Sequence, residues 1–200
     1  MTTFSEAIVA MTGVKTSIDR VMLHRCLKLD GSTLTMADID DFMNGRNISL
    51  NISDATKLFV YQNDIRTHIV GASGYNMCME LIRSMVLGTN GKMGFDYRVL
   101  NISNEEEDIR KSIYVASHCE NALERAARIF AIAVEYNIAN QHSEAVGYLL
   151  MLYFLKQDGY TPFIPTDDQC DDMISIRKES SFSTMVDRIF NDLRVFYSEV

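Results

Sequence analysis

The sequence predicts a mainly α-helical bundle around one central apolar helix, and three observations carry that prediction. Proline occurs only at Pro162 and Pro165, so long stretches meet no obligatory helix break. Apolar residues recur at three- and four-residue spacing along most of the chain, the period of an amphipathic helix. Between Ser143 and Gln157 they occupy nearly every helical face, as a helix surrounded by others requires. A chain of 200 residues with 47% apolar content can bury one sizeable core but not two. One domain over 1–200 is therefore expected, with a C-terminal helical extension at 166–200.

The elements follow in order. Ser5 to Met11 reads as a short helix, and Ser17 to Leu27 as a second with Ile18, Val21, Met22 and Cys26 on one face. Lys28 to Ser32, with Gly31 inside, breaks it. Thr35 followed by Asp38 is an N-cap with an acid in the first turn, opening a helix to Met43 that stops before Gly45. Ser53-Asp54-Ala55 opens the next, whose Leu58, Tyr61, Ile65 and Ile69 share a face. Tyr75 to Leu87 is another helix, closed by Gly88 and the Asn90-Gly91 turn.

Phe95 to Ile102 is short, aromatic and β-branched with rough alternation, so it reads as a strand or one arm of a hairpin. Helical character returns at Asn104, where Glu105 to Asp108 sit favourably against the dipole. Asn121 to Glu135 has a broad apolar surface. The apolar Ser143 to Gln157 helix comes next, then a polar stretch from Thr166 to Ser181. The last helix carries Phe182, Met185, Val186, Ile189, Phe190, Leu193 and Phe196, and core packing is the simpler reading of that face than an interface.

The charge narrows the partners. Acids outnumber bases 27 to 19, for a formal charge of −8, which opposes condensation onto phosphate backbones. Nucleic acid is not expected as a partner; another protein or a second copy of the chain is. Cys26, Cys78, Cys119 and Cys170 lie far apart and form no Cys-x-x-Cys pair, so reduced, buried thiols are expected and no metal site. The first residues lack a basic, apolar leader, and no run approaches the roughly 20 apolar residues of a membrane helix. A cytoplasmic protein without a membrane partner is expected. On that reading the Asn-Ile-Ser triplets at Asn47, Asn51 and Asn101 are not glycosylation acceptors.

Three separated segments carry a family resemblance. Leu29-Asp30-Gly31-Ser32-Thr33-Leu34-Thr35, Tyr97-Arg98-Val99-Leu100-Asn101-Ile102, and the run from Tyr136 to Tyr148 with the apolar helix that follows resemble, in that order, the inhibitory segment, the flap strand and the catalytic loop with its helix in the Fic/Doc family. The resemblance spans about 28–162 and implies a Fic-like helical bundle with a small β-hairpin flap. In that family a loop His is the general base, an acid holds Mg²⁺, and a Gly-rich turn with an Arg receives nucleotide phosphates at a helix N-terminus.

Laid on that motif, the chain has lost the chemistry. Asn137 stands at the His position and has no nitrogen basic enough to act as general base. Gln141 replaces the metal-binding acid. His142 and Ser143 replace Gly-Asn, Glu144 replaces the next small or basic residue, and Ala145 stands at the Arg. A carboxylate in a phosphate cradle repels its ligand. The inhibitory remnant, Asp30 and Gly31, keeps an acid whose usual arginine partner is missing, with Cys26 at the motif's Ser/Thr position.

The resemblance therefore implies a catalytically degenerate protein acting as a protein-binding module or as a subunit of a larger assembly, with no cofactor expected. Partner binding through the flap, at Tyr97 and Arg98, would survive loss of catalysis because β-addition uses backbone groups. One alternative is a diverged nucleotidyl- or phospho-group transferase using His142 or Glu144 with Ser143, for which ATP and Mg²⁺ would bind. Capping of the helix start, with Ser143 as N-cap, is the simpler reading of those residues. Another alternative is a helical structural protein of a phage or other multi-subunit particle. Asp167, Asp168, Asp171 and Asp172 lack the spacing and central Gly of an EF-hand and read as a solvated loop or helix start.

Overall fold

Every element in the described part of the chain is an α-helix, and the reason lies in how each begins and ends. The computed structural model describes residues 17–44, 46, 50–64, 105–139, 142–179 and 181–198. Eight helices occur among them: α1 (Ser17–Leu29), α2 (Met36–Met43), α3 (Ile52–Asp64), α4 (Glu105–Ser117), α5 (Ala122–Glu135), α6 (Ser143–Gln157), α7 (Asp167–Glu179) and α8 (Phe182–Ser198). The expected helices at 5–11 and 75–87, and the strand at 95–102 with Tyr97 and Arg98, lie outside the described residues.

Starts are fixed by side chains that satisfy the orphan N–H groups of a first turn. Thr35 and Asp38 form a reciprocal capping box on α2. Asn51 Oδ1 accepts from Asp54 N at 2.7 Å and starts α3. Asn121 Oδ1 accepts from both Leu123 N and Glu124 N at the head of α5. A Thr-x-x-Gln box starts α7: Gln169 N donates to Thr166 Oγ1 at 3.2 Å, and Thr166 N donates to Gln169 Oε1 at 2.9 Å. The polar stretch after Thr166 is thus a helix whose acids begin the first turn.

The ends of α1, α5 and α6 share another device. After α1, Gly31 N donates to Lys28 O and Ser32 N to Leu27 O, both at 2.9 Å. This pair of bonds is the Schellman motif, which needs a left-handed residue just past the helix, and Gly31 supplies it with φ 71°. The same pair recurs after α5 and after α6.

The core forms around α6, in which every residue from Ser143 to Leu155 is buried. Its main packing partner is α5, with α1 also against it. In turn α5 packs on α4 and α8, and α1 on α2, α3 and α7. The contact of α6 with α5 is close because Gly147 has no side chain: a Cβ there would stand 3.1 Å from Ala133 Cβ and 3.2 Å from Phe130 O. Met185, Val186, Ile189 and Leu193 of α8 are buried, so this helix contributes its apolar face to the core. Arg125 clamps the corner of the bundle, pairing with both carboxylate oxygens of Asp158 and donating to Cys119 O. Among the described residues no helix is long and apolar enough to cross a membrane.

Candidate functional site

The segment joining α5 to α6 is built by the end of one helix and the start of the other. Tyr136 closes α5, Asn137 N donates to Val134 O, and Ile138 N donates to Ala133 O, each N–O distance being 3.1 Å. Asn137 is the left-handed residue of this Schellman motif, with φ 49°. Asn tolerates that conformation better than most residues, and the buried Ile138 after it is the apolar residue such an end favours. Asn137 is therefore a helix terminator.

His142 is the N-cap residue of α6, but its side chain makes no capping bond. It turns instead to the end of α1, where Nδ1 lies 2.6 Å from Asp30 Oδ1, joining residues 112 apart in sequence. Both side chains are buried. Asp30 Oδ2 accepts from Tyr61 Oη at 2.8 Å and lies 3.4 Å from Lys57 Nζ. Lys57 also donates to the Asp30 carbonyl at 2.8 Å. Lys57 and Tyr61 stand one turn apart on α3, so a single face of that helix supplies two donors.

The physical logic of this cluster is compensation. A carboxylate at a helix C-terminus meets the negative end of the dipole, and a buried one loses hydration. Here both oxygens are covered by donors, one of them cationic, which offsets both costs. Asp30 therefore has partners after all: with Ala145 buried in α6 and no arginine there, His142, Tyr61 and Lys57 receive the carboxylate.

Ser143 is the first residue of α6 rather than its cap. Its Oγ accepts from Ala139 N at 3.1 Å and lies 3.3 Å from Asn137 Oδ1. Glu144 is buried in the first turn, where the dipole favours an acid. The start of α6 thus has its own carboxylate, and the Ser143 hydroxyl already holds a loop N–H. Gln141 lies outside the described residues. Among the described residues no cluster of three or more His, Cys, Asp or Glu is disposed to hold a metal ion.

The acids of α7 have a different employment. Asp167 pairs with Arg25 and Lys28, and Asp171 with Lys28, tying α7 to α1. The hydrogen bonds from Lys28 and Arg25 hold the Asp167 carboxyl below its ordinary range.

Of the residues singled out from sequence, the structure brings Asp30 and His142 together and aligns Asn137 with Ser143. Lys57 and Tyr61 complete the cluster and were not foreseen as site residues. Tyr61 appeared only as part of an apolar face, although a buried Tyr hydroxyl generally needs a partner. Compared with protein-family models, characterised proteins and solved structures, the chain finds no match.

Proposed function

We propose that the chain is a catalytically degenerate Fic/Doc-like protein that works by binding another protein, alone or as a subunit of a larger assembly. The observation that carries this reading is the fate of the loop before α6. Its polar groups are consumed by the fold: Asn137 ends a helix, Ser143 Oγ accepts from Ala139 N, and His142 is bonded to Asp30. A buried general acid or base must reach the proton it moves, and His142 spends Nδ1 on a residue 112 positions away in the sequence. Glu144 in the first turn adds a negative charge where nucleotide phosphate would come. The order of an amphipathic helix, this loop and a helix buried from Ser143 to Leu155 supports the family likeness, while the side chains argue against group transfer.

The test is incubation of the purified chain with isotopically labelled ATP and Mg²⁺, followed by intact-mass analysis, beside a co-purification from the native host. The reading expects no nucleotidyl or phosphoryl adduct and a stoichiometric protein complex. An adduct that disappears in His142→Ala or Glu144→Ala would overturn it in favour of a diverged transferase.

A further inference from the structure

A cleft of about 420 Å³ opens between α4 and α5, sharing no residue with the His142 cluster, and the first residue of α8 closes one side of it. Its floor is apolar, from Val115, Ala116, Ile132 and Phe182. Val115 is 67% exposed, and it is part of that floor rather than an isolated surface residue. A volume of this size is within the range of ligand and anchor-residue pockets, roughly 300–1,000 Å³.

The charges around the cleft are unequal in availability. Arg128 is held by Glu124, with Nη2 at 2.6 Å and Nε at 2.9 Å from the same oxygen. Lys111 is held by Glu107 at 2.9 Å, and Asp108 acts on it as well. Both cations are thereby neutralised within their own helices. Glu135, on the same lining, is exposed, and its carboxylate forms neither a hydrogen bond nor an ion pair among the described residues. The lining itself carries Lys111, Arg128 and Glu135; with the two cations paired to Glu107 and Glu124, the Glu135 carboxylate is the uncompensated charge beside the apolar floor, on a chain of formal charge −8. A second copy would bring like charge against like charge, and an anionic membrane or nucleic acid would be repelled in the same way.

We propose that this cleft docks a basic amphipathic segment of a protein partner, which lays an aliphatic or aromatic side chain on Val115 and Phe182 and sets a Lys or Arg against Glu135. The inference rests on the protein-binding reading and gives it a partner class. An apolar anchor supplies affinity by displacing water from the floor, and Glu135, with the chain's net negative charge, supplies direction and rate.

The experiment uses the full chain and two fluorescein-labelled helical peptides with one shared apolar face, one carrying Lys and Arg and the other Asp and Glu on the remaining face. Fluorescence anisotropy is expected to show saturable binding of the basic peptide, weakened by salt, and much weaker binding of the acidic one. Val115→Asp should weaken the basic peptide by about tenfold or more. Glu135→Lys should weaken it roughly three- to tenfold and improve the acidic peptide. Both positions are exposed, and unchanged circular dichroism will report intact folding. Equal binding of both peptides, indifference to both variants, or no binding of either would overturn the inference. So would a dimer in light scattering that Val115→Asp dissociates, because the occupant would then be a second copy. If a protein complex survives Val115→Asp, the cleft assignment fails and the protein-binding reading stands; nucleotide transfer would remove that reading whatever the peptides do.

Discussion

Replacing Asp30 with Ala removes the acceptor on which the α1–α3–α6 junction converges. The side chain accepts from His142 Nδ1 at 2.6 Å and Tyr61 Oη at 2.8 Å, with Lys57 Nζ at 3.4 Å. The bond from Lys57 to the Asp30 carbonyl, at 2.8 Å, survives because it is to backbone. The substitution leaves two buried donors and a half-compensated cation, and breaking such a buried pair costs about 3–5 kcal/mol. For a chain of this size, roughly 2–4 °C of Tm accompany each kcal/mol. The expected shift is therefore roughly 6–20 °C downward. Urea unfolding followed by far-UV circular dichroism gives the free energy, and a thermal scan gives the midpoint. A cycle with His142→Ala should return a coupling of about 1.5–3 kcal/mol, the size of a hydrogen bond to a charged group. Single losses below about 1 kcal/mol that simply add would refute the claim that this cluster joins the three helices.

Other substitutions probe the packing and the charges. Gly147→Ala gains up to about 1 kcal/mol of helix propensity but forces Ala133 Cβ and the Phe130 carbonyl apart, so urea denaturation should show a net loss of about 1–2 kcal/mol. Asn137→Gly should be neutral or stabilising in the same assay, because the left-handed φ of 49° suits glycine; a loss above about 1 kcal/mol would show that the Asn side chain matters more than the helix end. Asp167 has a folded pKa below its ordinary value of 3.8, caused by hydrogen bonds from Lys28 and Arg25. Between those values the unfolded chain binds more protons, so the contribution is present above 3.8 and is lost as pH falls through the lowered folded value. Asp167→Asn should therefore flatten the stability profile on its acid side, and an unchanged slope there would contradict the assignment. Burial pushes the Cys170 thiol up to about 11, whereas Cys119 is only half-buried. Peptide mapping after brief alkylation under native conditions should find Cys119 modified and Cys26 and Cys170 protected.

Much of the described fold was legible because it is written locally. Thr35 with Asp38 is a start signal complete within four residues, and α2 begins where that signal puts it; the apolar period from Asn121 to Glu135 marks α5, whose first turn Asn121 caps. The all-round apolar character of Ser143 to Gln157 announced a buried helix, and α6 is buried from Ser143 to Leu155. The stretch after Thr166 was harder, since its acids hid a helix whose ion pairs are made by Arg25 and Lys28, far away in sequence. The site was only half visible. Asn137 was read through a catalytic motif, although an Asn followed by an apolar residue at the end of a periodic run is also a helix-stop pattern. The Asp30 to His142 bond was beyond reach, because it depends on how α1 and α3 dock on α6 and no local rule links residues 112 apart.

The proposal that the start of α6 serves structure rather than nucleotide chemistry is tested most directly by isothermal titration with ATP, with and without Mg²⁺. The account predicts no heat of binding at millimolar ATP in either condition. Micromolar, Mg²⁺-dependent binding that is lost in Glu144→Ala or His142→Ala would contradict it.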